Sequence, residues 1–287
     1  ENILGKKTTE ARIAVVEWLN ANNLMEKEEE VTQNIPTAER TGGIIEPLPK
    51  LQWFINVNKP IESRENKTLK ELMLEPIKNS QIGILPDRFE KVYYNWVENL
   101  RDWCISRQIW YGHRIPVWYK GDQIFCGMEA PKEDGWEQDS DTLDTWFSSG
   151  LWTFSTLGWP DLENTDFKTY HPTTIIETAY DIIFFWVARM ILMSTYILGD
   201  IPFKNVYFHG LVRDAQGRKM SKSLGNSLDP LDLTQKYGAD AVRMSLIIGT
   251  GPGNDSKMSE DKIRAYKNYP NKLWNITRFV LSNTLNT

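Results

Sequence analysis

The run Gly217-Arg218-Lys219-Met220-Ser221-Lys222-Ser223-Leu224-Gly225-Asn226 holds the densest group of residues suited to chemistry in this chain. Arg218, Lys219 and Lys222 place three positive charges in five positions, with a hydroxyl between the lysines and small residues on both sides. Small neighbours leave the ammonium groups unshielded, and glycine lets a backbone approach a bulky anion closely. Such a loop suits the handling of a polyanion. Most Lys/Ser/Gly clusters are solvated turns, so the chemical reading depends on what the rest of the chain brings to the loop.

The surrounding sequence reads as a parallel βαβ unit. Thr173 to Glu177 is a short run rich in β-branched residues, bounded by Pro172. Asp181 to Leu198 follows as a strongly apolar helix, and Val206-Tyr207-Phe208 is a second strand that ends at His209-Gly210. Strand, long helix and strand require a crossover connection, and ligands on such sheets sit at the carboxyl ends of the strands. Thr178–Asp181 and His209–Val212 both fall there. A lone acid opening a helix is also explained by the macrodipole alone.

Elsewhere, Thr8 to Leu24 predicts an amphipathic helix capped by Thr8 or Thr9, with Val15, Val16 and Leu19 on one face. Lys67 to Asn99 predicts helix around a proline loop at Ile84-Leu85-Pro86. After Asp229-Pro230 the chain predicts helices over Leu231–Tyr237, Ala239–Ile248 and around Glu260–Leu281, broken by Gly249–Gly253.

Length and composition set bounds. At 287 residues the chain holds one large domain or two small ones, and its 41% apolar and 25% charged residues are ordinary for a globular protein. No stretch looks long and apolar enough for a membrane span. The start, Glu1-Asn2-Ile3-Leu4-Gly5, lacks a methionine and a signal-peptide core, and reads as an internal cut. A net charge of −5 gives no overall basic surface, although Lys257, Lys262, Arg264, Lys267, Lys272 and Arg278 form a local basic run. Two cysteines, Cys104 and Cys126, suit a reducing cytoplasm and fall short of a four-ligand zinc site.

The string Lys219–Ser223, KMSKS, resembles the phosphate-handling loop of class I aminoacyl-tRNA synthetases. Thr178–Trp186 (TAYDIIFFW), Asp141–Ser149 (DTLDTWFSS), Trp103–Gln108 (WCISRQ) and His209–Asp214 (HGLVRD) are similar to segments of the valyl members of that class, in the same order over nearly the whole chain. The resemblance implies an α/β fold: the second half of a Rossmann-type parallel-sheet catalytic domain, followed by the start of an α-helical domain. It implies a return segment from an editing insertion over residues 1–59 and the C-terminal part of the catalytic domain over 60–229. A stem-contact region and the start of the helical anticodon-binding domain follow over 230–287.

The activity implied is valine–tRNA ligation: ATP-dependent formation of valyl-adenylate with release of pyrophosphate, then transfer to the 3′-terminal ribose of tRNA(Val). Charge builds on the departing phosphates, so cations must wait where it develops, on a loop able to close over ATP. The resemblance gives that role to Lys219, Ser221 and Lys222, with the larger effect at Lys222, and puts Met220 and Ser223 in the same nucleotide loop. It assigns Asp181 to ribose hydroxyls, and main-chain groups at Ala179, His209, Gly210 and Val212 to ribose and adenine; glycine is the family's usual residue where Ala179 stands. Trp146 and Trp186 fall to a narrow apolar slot for valine, which excludes isoleucine by overpacking.

The implied cofactors are ATP and the Mg²⁺ that its phosphates carry. Thr37–Thr41 resembles a place where some relatives bear a cysteine knuckle, but Ala38 and Thr41 supply no ligand, so no zinc is expected. Partners implied are tRNA(Val), valine, ATP and the missing N-terminal part of the enzyme, with no membrane. The class's second nucleotide motif needs two histidines three positions apart, and His113, His171 and His209 do not pair that way. His113-Arg114-Ile115-Pro116 is only superficially similar. The chain is therefore expected to be inactive in isolation. The alternative reading is a non-catalytic RNA-binding or assembly module, or one half of a split synthetase.

Overall fold

In a computed structural model the described residues are 3–38, 41–221 and 224–284. The chain divides into two compact units, Glu1–Pro49 and Lys50–Thr287.

The first unit is built around α1 (Thr8–Ala21). The residue preceding its first turn is Lys7, and no side chain caps it, because Thr8 and Thr9 already lie inside the first turn. Val16 and Leu19 are half-buried and Val15 is exposed, so the expected apolar face is narrower than Val15, Val16 and Leu19 together. Beyond it, Thr37 and Ile44 form an isolated antiparallel bridge. Glu39 and Arg40, within the Thr37–Thr41 string, lie outside the described residues.

The second unit opens with the short strand β1 (Phe54–Ile55) and then α2 (Leu69–Lys78). Thr68 and Glu71 close a capping box on α2: the Thr68 hydroxyl accepts from the Glu71 amide at 3.3 Å, and the Glu71 carboxylate accepts from the Thr68 amide at 2.8 Å. Next come β2 (Gly83–Leu85) and α3 (Arg88–Glu98). The stretch expected to be helix about a proline loop thus hides a strand. Three residues are too short to show a period of two, and β2 is held by pairing with a strand about 120 residues away.

Small antiparallel elements follow: β3 (Trp103–Cys104) pairs with β1, and β4 (Ser106–Arg107) pairs with β8 (Thr142–Leu143). Between them β5 (Val117–Lys120) lies between β6 (Gln123–Cys126) and β7 (Glu137–Gln138). Three short helices, α4 (Thr145–Gly150), α5 (Trp152–Ser155) and α6 (Thr165–Tyr170), lead to β9 (Thr173–Ala179). A helical run, α7 (Ala188–Ile197) at its end, connects β9 to β10 (Phe203–His209).

β10 is the centre of a parallel sheet ordered β2-β10-β9, with Val206 opposite both Ile84 and Ile176. The βαβ unit is as expected, with both strands longer than their apolar cores. Phe203, Val206 and Phe208 are buried, together with Met190, Ile191, Leu192 and Met193 of α7 and Met73 and Tyr93 of α2 and α3. Along β9, Ile176 and Thr178 are buried, whereas Ile175 is 51% exposed, so one face of that strand is covered and the other open.

The segment expected as a single α-helix starts differently. Tyr180–Ile182 is a 3₁₀ turn and Ile183–Val187 a π-helical turn before α7 begins. Phe184, Phe185 and Trp186 each meet a different ring, on Trp96, Trp146 and Trp152. The π-helical turn is thus the place where three consecutive aromatic side chains find three separate ring partners. Contrary to the expectation for membrane spans, Tyr180–Ile197 has the length and apolarity of one by those measures alone, with mean hydropathy 1.3. It is instead a core helix against which α2 and α4 pack.

The chain ends in helices with their own small core. After β11 (Val212–Arg213) come α8 (Pro230–Tyr237), α9 (Ala239–Ile247), β12 (Ser256–Lys257), parallel to β11, and α10 (Glu260–Thr284). Leu233, Tyr237, Ala241, Val242, Met258 and Ile263 form this second cluster.

Candidate functional site

The carboxyl ends of β9 and β10 lie side by side, with Ala179 opposite His209 in the register. Asp181 follows one strand end and Gly210 the other. His209 Nδ1 lies 2.7 Å from the Gly210 carbonyl, and its Nε2 lies 3.3 Å from Glu177 on the neighbouring strand. A side chain at Gly210 would place Cβ 1.9 Å from the Asn254 carbonyl oxygen, so only glycine fits there. Val212 continues in β11, opposite Ser256, and is 39% exposed.

The lysine loop grows from β11 as a tight hairpin. Arg213 and Lys219 form an antiparallel bridge, the Asp214 amide donates to the Arg218 carbonyl at 3.0 Å, and Gly217 turns the chain at φ +83°. Asp214 is buried beneath it. Its carboxylate accepts from Asn226 Nδ2 at 2.9 Å and from the Arg218 amide and guanidinium, each at 2.8 Å. Chiefly the Asn226 bond, with the Arg218 contacts, outweighs burial and holds the Asp214 carboxyl down at about 2. The same Asn226 accepts from the Ser221 amide at 2.9 Å and donates to the Lys219 carbonyl at 3.2 Å.

That clasp brings Lys219 over the strand ends, where its ammonium lies 3.1 Å from Asp181 Oδ2. Met220 is half-buried and packs on the small helical core. Lys222 and Ser223 lie outside the described residues.

Behind the hairpin, Asp255 accepts from the Leu211 amide at 2.8 Å, from the Tyr180 hydroxyl at 3.0 Å and from Arg213 Nε. Burial pushes the Asp255 carboxyl up, but these three donors together hold it below its usual range.

The two tryptophans are reached from Asp144. Its Oδ1 caps α4 by accepting the Trp146 amide at 3.1 Å, while Oδ2 accepts Trp103 Nε1 at 3.1 Å and Arg107 at 2.7 Å. Trp146 stacks on Phe185 and lines a cavity of ≈ 660 Å³ with Trp96, Trp103, Phe184 and Arg189. Arg189 is buried, lies 3.8 Å over the Trp103 ring, and is lowered to about 10 by burial against the pull of Asp144. Trp186 faces elsewhere: its Nε1 donates to the Ser149 carbonyl at 3.1 Å, its ring meets Trp152, and it does not line that cavity.

The fold therefore gathers Ala179, Asp181, His209, Gly210, Val212 and Lys219 around one strand edge, and sets Trp146 and Trp186 around α4. An ammonium, a partly exposed carboxylate and a glycine-lined backbone at strand ends suit a phosphate-bearing ligand with vicinal hydroxyls. Among the described residues, no group of three or more His, Cys, Asp or Glu side chains is placed to hold a metal ion. Cys104 and Cys126 are both free thiols.

Sequence reasoning missed Asp255, Asn226 and Asp144 as supports. Asn226 stood within the quoted run, but its contacts require a folded loop. Asp255 acts 44 positions from Leu211, and no local pattern announces such a pair.

Comparison with known proteins follows the same outline. Residues 7–130 and 122–259 match the family described as tRNA synthetases class I (I, L, M and V). The valine–tRNA ligase of Clostridium acetobutylicum is 49% identical over 287 residues, and that of Bacillus subtilis is 47% identical over 282. Each match covers 97% of this chain and 31% of the relative, so the chain spans about a third of the length of these proteins. Among solved structures, a Mycobacterium tuberculosis methionyl-tRNA synthetase bound by methionyl-adenylate superposes with TM-score 0.60 at 23% identity, covering 83% of this chain and 41% of that one. The ternary complex of the Agrobacterium radiobacter K84 agnB2 LeuRS with tRNA and LeuAMS gives TM-score 0.54 at 22% identity, covering 66% and 29%. At these identities the likeness is one of fold.

Proposed function

Since this chain belongs to the class I tRNA synthetases (I, L, M and V), we propose that it carries the lysine-loop part of a valine–tRNA ligase. The choice of valine rests on 47–49% identity to valine–tRNA ligases across 97% of the chain. The single observation that carries the chemical reading is the meeting of Lys219 and Asp181, 3.1 Å apart at the strand ends.

In this reading ATP lies along the ends of β9 and β10. Asp181 accepts hydrogen bonds from ribose hydroxyls, and main-chain groups at Ala179, Gly210 and Val212 approach ribose and adenine. The need for glycine at 210 supports a backbone packed too closely for a side chain. We assign Lys219 and Lys222 to the charge that develops as pyrophosphate leaves, a role that lowers the barrier without adding a nucleophile. Ser221, Met220 and Ser223 are assigned to the same nucleotide loop. Mg²⁺ arrives on the ATP phosphates, a mode that needs few protein ligands, and no zinc is proposed.

Trp146, Phe184 and Phe185 form the aromatic side of a cavity that Arg107, Asp144 and Arg189 also line; we assign that aromatic side to the valine side chain, with Trp186 supporting it from the Ser149 side of α4. tRNA(Val) is the acceptor, and the basic run from Lys257 to Arg278 suits contact with its backbone. We place the activity in the cytoplasm. Residues 1–59 are assigned to the return from an editing insertion, 60–229 to the catalytic domain and 230–287 to the stem-contact and helical region. The separate helical core around Leu233 and Ile263 supports the last boundary. The open face at Ile175 supports a catalytic domain completed by further chain, since parallel sheets are ordinarily covered on both faces.

The test is amino-acid-dependent ATP–pyrophosphate exchange by the complete ligase polypeptide carrying this segment. Exchange stimulated by valine above the other amino acids supports the reading, and exchange that prefers isoleucine, leucine or methionine rejects it.

A further inference from the structure

We infer that Asp255 is a positioning residue for the nucleotide site, tying the adenine-side backbone and the ribose-side turn to one carboxylate. The inference rests on the proposed ATP site. Asp255 lies on the loop between α9 and β12, outside every segment assigned to nucleotide or amino acid above.

Its two oxygens divide the work. Oδ1 accepts from the Leu211 amide at 2.8 Å, fixing the peptide between Gly210 and Val212. Oδ2 accepts from the Tyr180 hydroxyl at 3.0 Å, on the turn between Ala179 and Asp181. Oδ2 also pairs with Arg213 Nε, and Arg213 in turn reaches the Gly217 carbonyl at 3.3 Å and the Tyr180 hydroxyl at 3.4 Å. One carboxylate thus touches the strand end after β9, the strand end after β10 and the base of the lysine hairpin.

The surroundings hold Asp255 in place. The Asn254 carbonyl oxygen sits against Gly210 where a side chain would be. Arg88 donates to Asn254 Oδ1 and to the Pro252 carbonyl, each at 2.9 Å. Tyr180 stacks on Phe89 at 5.5 Å. The Ser256 amide then continues the connection by donating to the Leu211 carbonyl at 3.0 Å. Leu211 is therefore gripped through both its N–H and its C=O by consecutive residues.

Substitution should therefore weaken ATP binding while leaving valine binding alone. The experiment is ATP–pyrophosphate exchange in the complete ligase polypeptide, with KM measured separately for ATP and valine. For Asp255→Ala, KM for ATP should rise about tenfold, the part of the stabilisation held by hydrogen bonds to a charged group that reaches the nucleotide through the freed backbone, with KM for valine within about twofold. Asp255→Asn keeps an acceptor for the Leu211 amide and should recover part of the loss. Tyr180→Phe removes one donor without disturbing the stacked ring, and should raise KM for ATP about two- to fivefold, which keeps the test decisive if Asp255→Ala misfolds. Unchanged KM for ATP in folded Asp255→Asn and Tyr180→Phe overturns the inference, as does an equal rise for both substrates. If the unsubstituted polypeptide shows no ATP-dependent exchange at all, the proposed function has failed, and this inference with it.

Discussion

Lys219 Nζ lies 3.1 Å from Asp181 Oδ2, across 38 positions of sequence. Their side chains are 61% and 30% exposed, and such a pair contributes little to stability. Its meaning is positional: the cation of the loop and the carboxylate of the strand end occupy one place, and ribose hydroxyls would compete with Lys219 for Asp181.

Asp181→Ala should therefore be a ligand-binding defect and not a folding defect. KM for ATP should rise about tenfold or more, since hydrogen bonds to charged groups are worth roughly 1.5–3 kcal/mol. The melting temperature should move by no more than a few degrees, because an exposed pair is worth about 0–1 kcal/mol. Exchange kinetics in the complete ligase and a thermal melt of the variant check the two halves. A large loss of stability with unchanged KM for ATP would make Asp181 an ordinary structural partner of Lys219.

Asp214 gives the loop clasp a defined pH range. Its carboxyl is held at about 2 in the fold, below the ordinary 3.8, first by Asn226 and then by Arg218. A depressed acid contributes stability fully above its unfolded pKa and loses it as pH falls through the folded value. The melting-temperature gap between the unsubstituted chain and Asp214→Asn should be constant above roughly pH 5, then shrink between roughly pH 4 and 2. A gap that changes between pH 6 and 8 instead would assign the pH response to another group.

Some of this was legible in the sequence and some was not. The β9–α7–β10 unit was readable because apolar β-branched and aromatic runs flank one long apolar helix, and the lysine loop was readable through its exact string, since its charge density alone also describes a solvated turn. The short strand β2 was not readable, since its three residues are strand only by pairing with β10. The 3₁₀ and π turns before α7 were hidden because Phe184, Phe185 and Trp186 read as apolar at any helical pitch. Their distinct ring partners appear only in three dimensions. Asp255 and Asp144 were passed over for the same reason: each is one acid among many until its donors, dozens of positions away, are in place.

The tryptophans are predicted to act on specificity. Trp146→Ala should narrow discrimination between valine and isoleucine by about 1–3 kcal/mol, the usual worth of a methylene fit. Trp186→Ala should narrow it in the same direction, through the loss of its contact with Ser149. Ratios of kcat/KM for the two amino acids in pyrophosphate exchange measure both. Unchanged ratios in folded variants would return both residues to the hydrophobic core.

The 287-residue chain by itself should not support exchange. It has Lys219 and Asp181 but no pair of histidines three positions apart to hold the ATP phosphates. Positioning accounts for about 7–11 kcal/mol of a barrier, and losing half of that slows a reaction by hundreds- to thousands-fold, at roughly 1.4 kcal/mol per factor of ten. The purified chain, assayed with ATP, valine and labelled pyrophosphate, should give no turnover above background. Turnover near that of a complete ligase would mean the site needs less than proposed.

If the lysine loop stabilises departing pyrophosphate, the exchange reaction is where its loss shows. Lys222→Ala, placed in the complete ligase polypeptide, should lower the valine-dependent ATP–pyrophosphate exchange rate by about 10²–10³, the usual size of the effect when one group that stabilises transition-state charge is removed. KM for ATP should change much less, because the interaction is made mainly in the transition state. An exchange rate near that of the unsubstituted enzyme would mean that the lysine loop does not stabilise the departing pyrophosphate.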